Sequence, residues 1–127
     1  MRKFGYETGI AFQIVDDILD FTGEQTALGK PIGFDLLNGL VTLPTIYYAE
    51  SNPDDQDIKS LSDGGWANQE RMARLVTAIR QTDAVKMAMG EARQHVERAL
   101  QSLDGFDASP EREALENLAK FIVDRKV

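Results

Sequence analysis

Phe12-Gln13-Ile14-Val15-Asp16-Asp17-Ile18-Leu19-Asp20-Phe21 places three carboxylates inside the most apolar stretch of a 127-residue chain. Around that stretch, Ile10, Ala11, Phe12, Ile14, Val15, Ile18, Leu19 and Phe21 recur with a helical period, which predicts one helix over residues 4–22. A helix apolar over most of its circumference is expected to be buried. Yet Gln13, Asp16, Asp17 and Asp20 fall at i, i+3, i+4 and i+7 and share one sector of it. Carboxylates so close repel each other, and burying them unpaired costs on the order of several kcal/mol. Protonation, cations of the protein, or a metal ion could compensate. With no His or Cys near, an all-oxygen donor set favours Mg²⁺, Mn²⁺ or Ca²⁺ over zinc, and Mg²⁺ suits a site that keeps waters and shares phosphate oxygens. The plainer alternative is a solvated face whose Asp residues only balance charge. An EF-hand is excluded, because the acids sit inside a helical pattern.

Working outward, Gly23, Gly29, Pro31 and Gly33 mark residues 23–34 as a loop. A second helical stretch over 35–50 contains Gly39 and Pro44, and Pro44 should kink or split it. Residues 51–65 read as an exposed connection with at most one short helix near 58–61. Met72, Leu75, Val76 and Ile79 then give an amphipathic helix, and residues 83–103 a longer one with a broad apolar stripe. Ser109 and Pro110 are a helix cap and a first-turn proline for a last helix whose expected apolar face is Ala114, Leu115, Leu118, Phe121 and Ile122. No period-two alternation competes, so the fold class is all-α.

Composition narrows the function. Fourteen Lys and Arg stand against 21 Asp and Glu, a net charge of −7 that disfavours nucleic-acid binding. With no Cys and the single His95, disulfides, thiolate metal sites, a Cys nucleophile and a multi-His zinc site are ruled out. No apolar run approaches the ~20 residues of a membrane span, and Met1-Arg2-Lys3 lacks the sequel of a signal peptide, so a cytoplasmic protein is expected. In the first fifty residues, seven acids face three bases, Arg2, Lys3 and Lys30. An anionic ligand there needs divalent ions, with Lys30 as a point-charge contact. Gly29-Lys30 is not a P-loop, since neither the upstream Gly nor the following Ser or Thr is present.

The stretch from Phe12 to Phe21 resembles the second aspartate-rich motif of the trans-isoprenyl diphosphate synthases, the polyprenyl synthetase family. Leu28-Gly29-Lys30-Pro31, Gly33, Asp35, Leu36, Gly39 and Thr42-Leu43-Pro44 follow in the order and spacing of its geranylgeranyl and longer-chain members. The likeness is strong over residues 5–45 and looser beyond, where Arg112-Glu113, Leu115, Leu118 and residues 121–125 are like the family's terminal helix. Terpene cyclases and squalene synthases fit less well, the former by their second metal motif and the latter by lacking the GK and TLP stretch.

The resemblance implies an all-α isoprenoid synthase fold that binds Mg²⁺ together with substrate diphosphate. It implies condensation of isopentenyl diphosphate with an allylic prenyl diphosphate, lengthening the chain by five carbons. Asp16, Asp17 and Asp20 would be catalytic metal ligands, with Asp35 in the outer metal shell. Gln13 and Lys30 would contact the allylic diphosphate. The family's first aspartate-rich motif has no counterpart here, so residues 1–127 read as the C-terminal part of a single synthase domain, not expected to catalyse condensation alone. A homodimer, or a partner chain supplying the missing half, is implied. The alternative is a non-catalytic helical subunit that regulates a complete synthase.

Three further expectations concern single side chains. His95, within the polar stretch 94–98, is expected to be a solvated helix residue. Trp66 is expected to anchor a helix start on the core, and Met72, Met87 and Met89 to lie in a core or an interface. Half a cavity would leave an apolar surface that promotes self-association of the isolated chain.

Overall fold

The computed structural model describes residues 2–22 and 32–124. Every regular element among them is helical: α1 (Arg2–Thr22), α2 (Phe34–Leu37), α3 (Leu43–Ser51), α4 (Gln56–Ser60), α5 (Gln69–Arg80), α6 (Ala84–Gln101) and α7 (Pro110–Asp124). Two short 3₁₀ turns, Leu61–Asp63 and Gly65–Ala67, lie between α4 and α5. No helix among the described residues is long and apolar enough to cross a membrane. The chain divides into two compact units, residues 17–88 and residues 1–16 with 89–127.

The expected split of the second helical stretch is present, and its cause is visible. α2 ends after one turn, Gly39 adopts φ +81°, and the chain restarts as α3 with Thr42 as N-cap and Pro44 in the first turn. Proline is tolerated there because the first amides of a helix have no intrahelical acceptor. Pro44 therefore opens a helix and interrupts none.

In the unit of residues 17–88, Met72, Leu75, Val76 and Ile79 form the buried stripe of α5 and pack with Phe21, Leu36, Tyr48 and Ala84. An ionic clamp closes its rim. Asp55 caps α4 by accepting the amides of Asp57 and Ile58, and its second oxygen takes the Tyr48 hydroxyl at 2.5 Å. Asp57 receives both Nε (2.8 Å) and an Nη (2.6 Å) of Arg74 from α5, with Arg71 Nε at 3.7 Å. The Arg74 guanidinium thus holds the Asp57 carboxyl below its ordinary 3.8 despite burial. Burial, reinforced by the bond to Asp55, pushes the Tyr48 phenol up to about 12.

In the other unit, α6 buries Met89, Ala92, Val96 and Ala99, with Leu103 just beyond its end, while α7 buries Ala119 and Ile122. Ser109 Oγ accepts the Arg112 amide at 3.1 Å, so the expected Ser cap of α7 is formed. His95, however, is no solvated residue. Its side chain is 13% exposed and its Nδ1 lies 2.5 Å from Oε2 of Glu7, itself 9% exposed, joining α6 to α1. A carboxylate inside the buried stripe of α1 gives the imidazole a partner that water would otherwise provide.

The expected faces of two helices also need correction. α1 is buried on one side only, at Phe4, Ala11, Ile14, Val15, Ile18 and Phe21, while Tyr6 and Phe12 are exposed. In α7, Ala114, Leu118 and Phe121 face solvent, because its apolar stripe is wider than the face centred on Ala119 and Ile122. Trp66 is half exposed and lies against Gly39, and Met87 is exposed while Met72 and Met89 are buried.

Asp57→Asn removes the charge that Arg74 and Arg71 share, and it is expected to lower the melting temperature at neutral pH by roughly 3–6 °C. A carboxyl held below its ordinary value contributes stability above that value and loses it as pH falls through the folded-state value. The gap between wild type and variant, followed by circular dichroism, should therefore be constant above pH ~5 and close in more acidic solution.

Candidate metal and diphosphate site

Gln13, Asp16, Asp17 and Asp20 all lie on the unbroken helix α1, which spans 21 residues. Gln13 and Asp16 are exposed, and Asp17 and Asp20 are half-buried. The helical repeat keeps the four on one side of the rod, away from Ile14, Val15 and Ile18. The segment identified from its acids and apolar residues is thus amphipathic, and its carboxylates escape the full cost of burial.

The chain from Ile32 onward meets the end of α1 through Asp20. Its carbonyl accepts the Gly33 amide at 2.8 Å, and its Oδ2 accepts the Asp35 amide at 3.1 Å. Gly33 sits at φ +76°, and a β-carbon there would collide with the Val76 side chain of α5. Only glycine meets both demands. This junction places the backbone of Asp35, in the first turn of α2, beside the Asp20 carboxylate. Lys30 lies outside the described residues.

No three His, Asp or Glu side chains among the described residues converge on a single point as a ready-made cation cage. Carboxylates ranged along a helix offer one or two oxygens to an ion and leave the rest of its coordination to water or ligand. Carboxylate and amide oxygens are hard donors of the kind Mg²⁺ takes, and Mg²⁺ keeps several waters of its own.

Sequence reasoning missed the Glu7–His95 pair, the Asp57–Arg74 pair and the Tyr48–Asp55 bond. Glu7 was legible as an acid in the buried stripe, one helical turn after Phe4 and one before Ala11. The Asp57–Arg74 pair joins residues 17 apart and had no periodic signal.

The family model for polyprenyl synthetase matches residues 1–79. Heptaprenyl diphosphate synthase component 2 of Bacillus subtilis (strain 168) is 37% identical over 123 residues, covering 97% of this chain and 35% of the relative. An all-trans-nonaprenyl-diphosphate synthase (geranyl-diphosphate specific) of Rhodobacter capsulatus is 37% identical over 128 residues, covering 98% and 38%. Among solved structures, heptaprenyl diphosphate synthase from Staphylococcus aureus superposes with a TM-score of 0.89 at 31% identity, over 98% of this chain and 39% of that one. A polyprenyl synthase from Caulobacter crescentus CB15, complexed with calcium and isoprenyl diphosphate, gives 0.82 at 32% identity, over 99% and 39%. The chain thus spans little more than a third of the length of these relatives. The all-helical fold is that of the isoprenyl synthases.

Asp20→Ala removes the acceptor that ties α2 to α1 and should cost about 1 kcal/mol in urea unfolding, whereas Asp20→Asn, which keeps an acceptor oxygen, should cost less than half of that.

Proposed function

Because the chain belongs to the polyprenyl synthetase family, we propose that α1 provides the second aspartate-rich wall of a Mg²⁺-dependent prenyltransferase site. The reaction is elongation of an allylic prenyl diphosphate by isopentenyl diphosphate. The observation that carries this reading is the junction of Asp20 with Asp35 at the end of a helix face that also bears Asp16 and Asp17.

In this reading Asp16, Asp17 and Asp20 would hold magnesium with Asp35 behind them, and the bound ion would supply positive charge to the leaving diphosphate. Gln13, one helical turn before Asp16 and Asp17, would offer its amide N–H to a diphosphate oxygen, and Lys30 would add a cation. Charge explains why the protein cannot hold a diphosphate with its own side chains there: the first fifty residues carry seven acids against three bases. The apolar surfaces beside the site keep water from the allylic cation until the double bond of isopentenyl diphosphate attacks and a proton is lost.

With about a third of the length of its relatives, the chain acts as part of a catalytic unit completed by further polypeptide, in a homodimeric or a two-component assembly. The name of the Bacillus relative, component 2 of a synthase, favours the two-component form. It equally supports the second reading, in which the chain is a helical subunit that regulates a complete synthase without using its own aspartates.

Isothermal titration of the 127-residue chain with inorganic pyrophosphate separates the two. The catalytic reading expects binding that requires Mg²⁺ and falls at least tenfold when Asp16, Asp17 and Asp20 are all changed to Asn. Pyrophosphate binding that ignores both Mg²⁺ and the aspartates, or its absence, favours the regulatory reading. The chain by itself is expected to show no turnover of isopentenyl and allylic diphosphates.

A further inference from the structure

α7 is apolar on two adjoining stripes, and only one of them is covered within its own unit. Ala119 and Ile122 are buried, with Leu115 half-buried beside them. Ala114, Leu118 and Phe121, at i, i+4 and i+7, form the second stripe along the neighbouring side, and Leu118 is 53% and Phe121 62% exposed. Glu111, also exposed, lies three residues before Ala114 and extends this line at the start of the helix. Arg125 follows Phe121 by four residues in the sequence and lies outside the described residues. Positions 111, 114, 118, 121 and 125 thus alternate intervals of three and four, the spacing by which one helix lines up on another. Their order is acid, small, large, large, base. Arg112 does not offset Glu111, because its guanidinium is turned to the Phe106 carbonyl and lies 3.8 Å from Asp104, in the turn before the helix.

We propose that this stripe is the docking surface for α7 of a second copy of the chain, laid antiparallel about a two-fold axis at Leu118. The inference concerns α7 alone and is independent of the reading of the aspartates. Charge selects both the occupant and its direction. In a parallel pair Glu111 would meet Glu111 and Arg125 would meet Arg125. In an antiparallel pair each copy's Glu111 meets the other's Arg125, at both ends of the contact. The same axis sets Leu118 against Leu118 and the small Ala114 against the large Phe121, because the members of each facing pair lie equally far from Leu118 to within one residue. A two-fold contact of this kind closes on itself and stops at two copies. The apolar side chains supply the affinity, and the charges at the ends supply the orientation. A helix of 15 residues is about 22 Å long. Two such helices side by side cover less than the ~800 Å² per partner of a standard interface, so the dimer forms only in concentrated solution.

The test is sedimentation velocity of the 127-residue chain over a wide concentration range at low salt. The expected result is a reversible passage from monomer to dimer, with no larger species, that Leu118→Asp abolishes. Leu118 is exposed, so this variant should keep the helical circular dichroism of the parent. Glu111→Arg and Arg125→Glu, each alone, should raise the dimer dissociation constant at least threefold, because each places like charges at both ends of the contact. An equimolar mixture of these two variants should restore the dimer, since every facing pair is again of opposite sign. A chain that stays monomeric throughout overturns the proposal and leaves the stripe to a different polypeptide. A dimer untouched by Leu118→Asp overturns the surface, and single charge reversals without effect, or a mixture that fails to recover, overturn the antiparallel pairing.

Discussion

Three like charges crowded onto about one turn of helix oppose the folding of that helix, and the opposite face of α1 is what outweighs them. Phe4, Ala11, Ile14, Val15, Ile18 and Phe21 are each at most 6% exposed. Burying side chains of this kind contributes on the order of 1.5–3 kcal/mol each for the larger ones, well above the few tenths of a kcal/mol by which a like-charge pair at i, i+4 destabilises an exposed helix. The helix can therefore keep its carboxylates concentrated on one side.

The remainder of the site depends on how the chain from Ile32 onward meets α1. Asp20 offers both its carbonyl and its carboxylate to the amides of Gly33 and Asp35. Gly33 passes so close to Val76 that no side chain fits. α5 in turn is held to α4 by Arg74 and Asp57, and to the end of α2 by Gln69, whose Nε2 donates to the Leu37 carbonyl at 2.9 Å. Substitutions far from the aspartates can thus reach the site through α5, because a shift of Val76 bears directly on the residue that sets the position of Asp35. The same connection explains the mixed character of α2, one short turn with Leu36 buried and Asp35 half-buried.

Helix order, the break before Pro44 and the Ser109 cap were legible in the sequence because each rests on a local rule: period, missing amide, side-chain acceptor. The candidate site residues stood out for a different reason: Asp16, Asp17 and Asp20 repeat at helical spacing, and Gly33 and Asp35 follow in the order and spacing of the family the chain resembles. What the sequence hid was the direction of burial. A stripe as wide as that of α1 or α7 does not say which part of it faces a neighbour, and Phe12, Leu118 and Phe121 proved to face solvent. Long-range polar pairs were hidden as well. Glu7 and His95 are 88 residues apart, and nothing in either helix alone foretells their meeting.

In the proposed function the acid face of α1 takes a hard divalent ion together with a diphosphate. This is tested most directly by a crystal of this chain grown with Mn²⁺ and pyrophosphate, with the metal located by its anomalous scattering. The account predicts an anomalous peak within ligand distance of carboxylate oxygens of Asp16, Asp17 or Asp20, with pyrophosphate oxygens completing the coordination and Asp35 within reach through water. Manganese bound elsewhere on this acidic surface, with no density beside those aspartates, would contradict it.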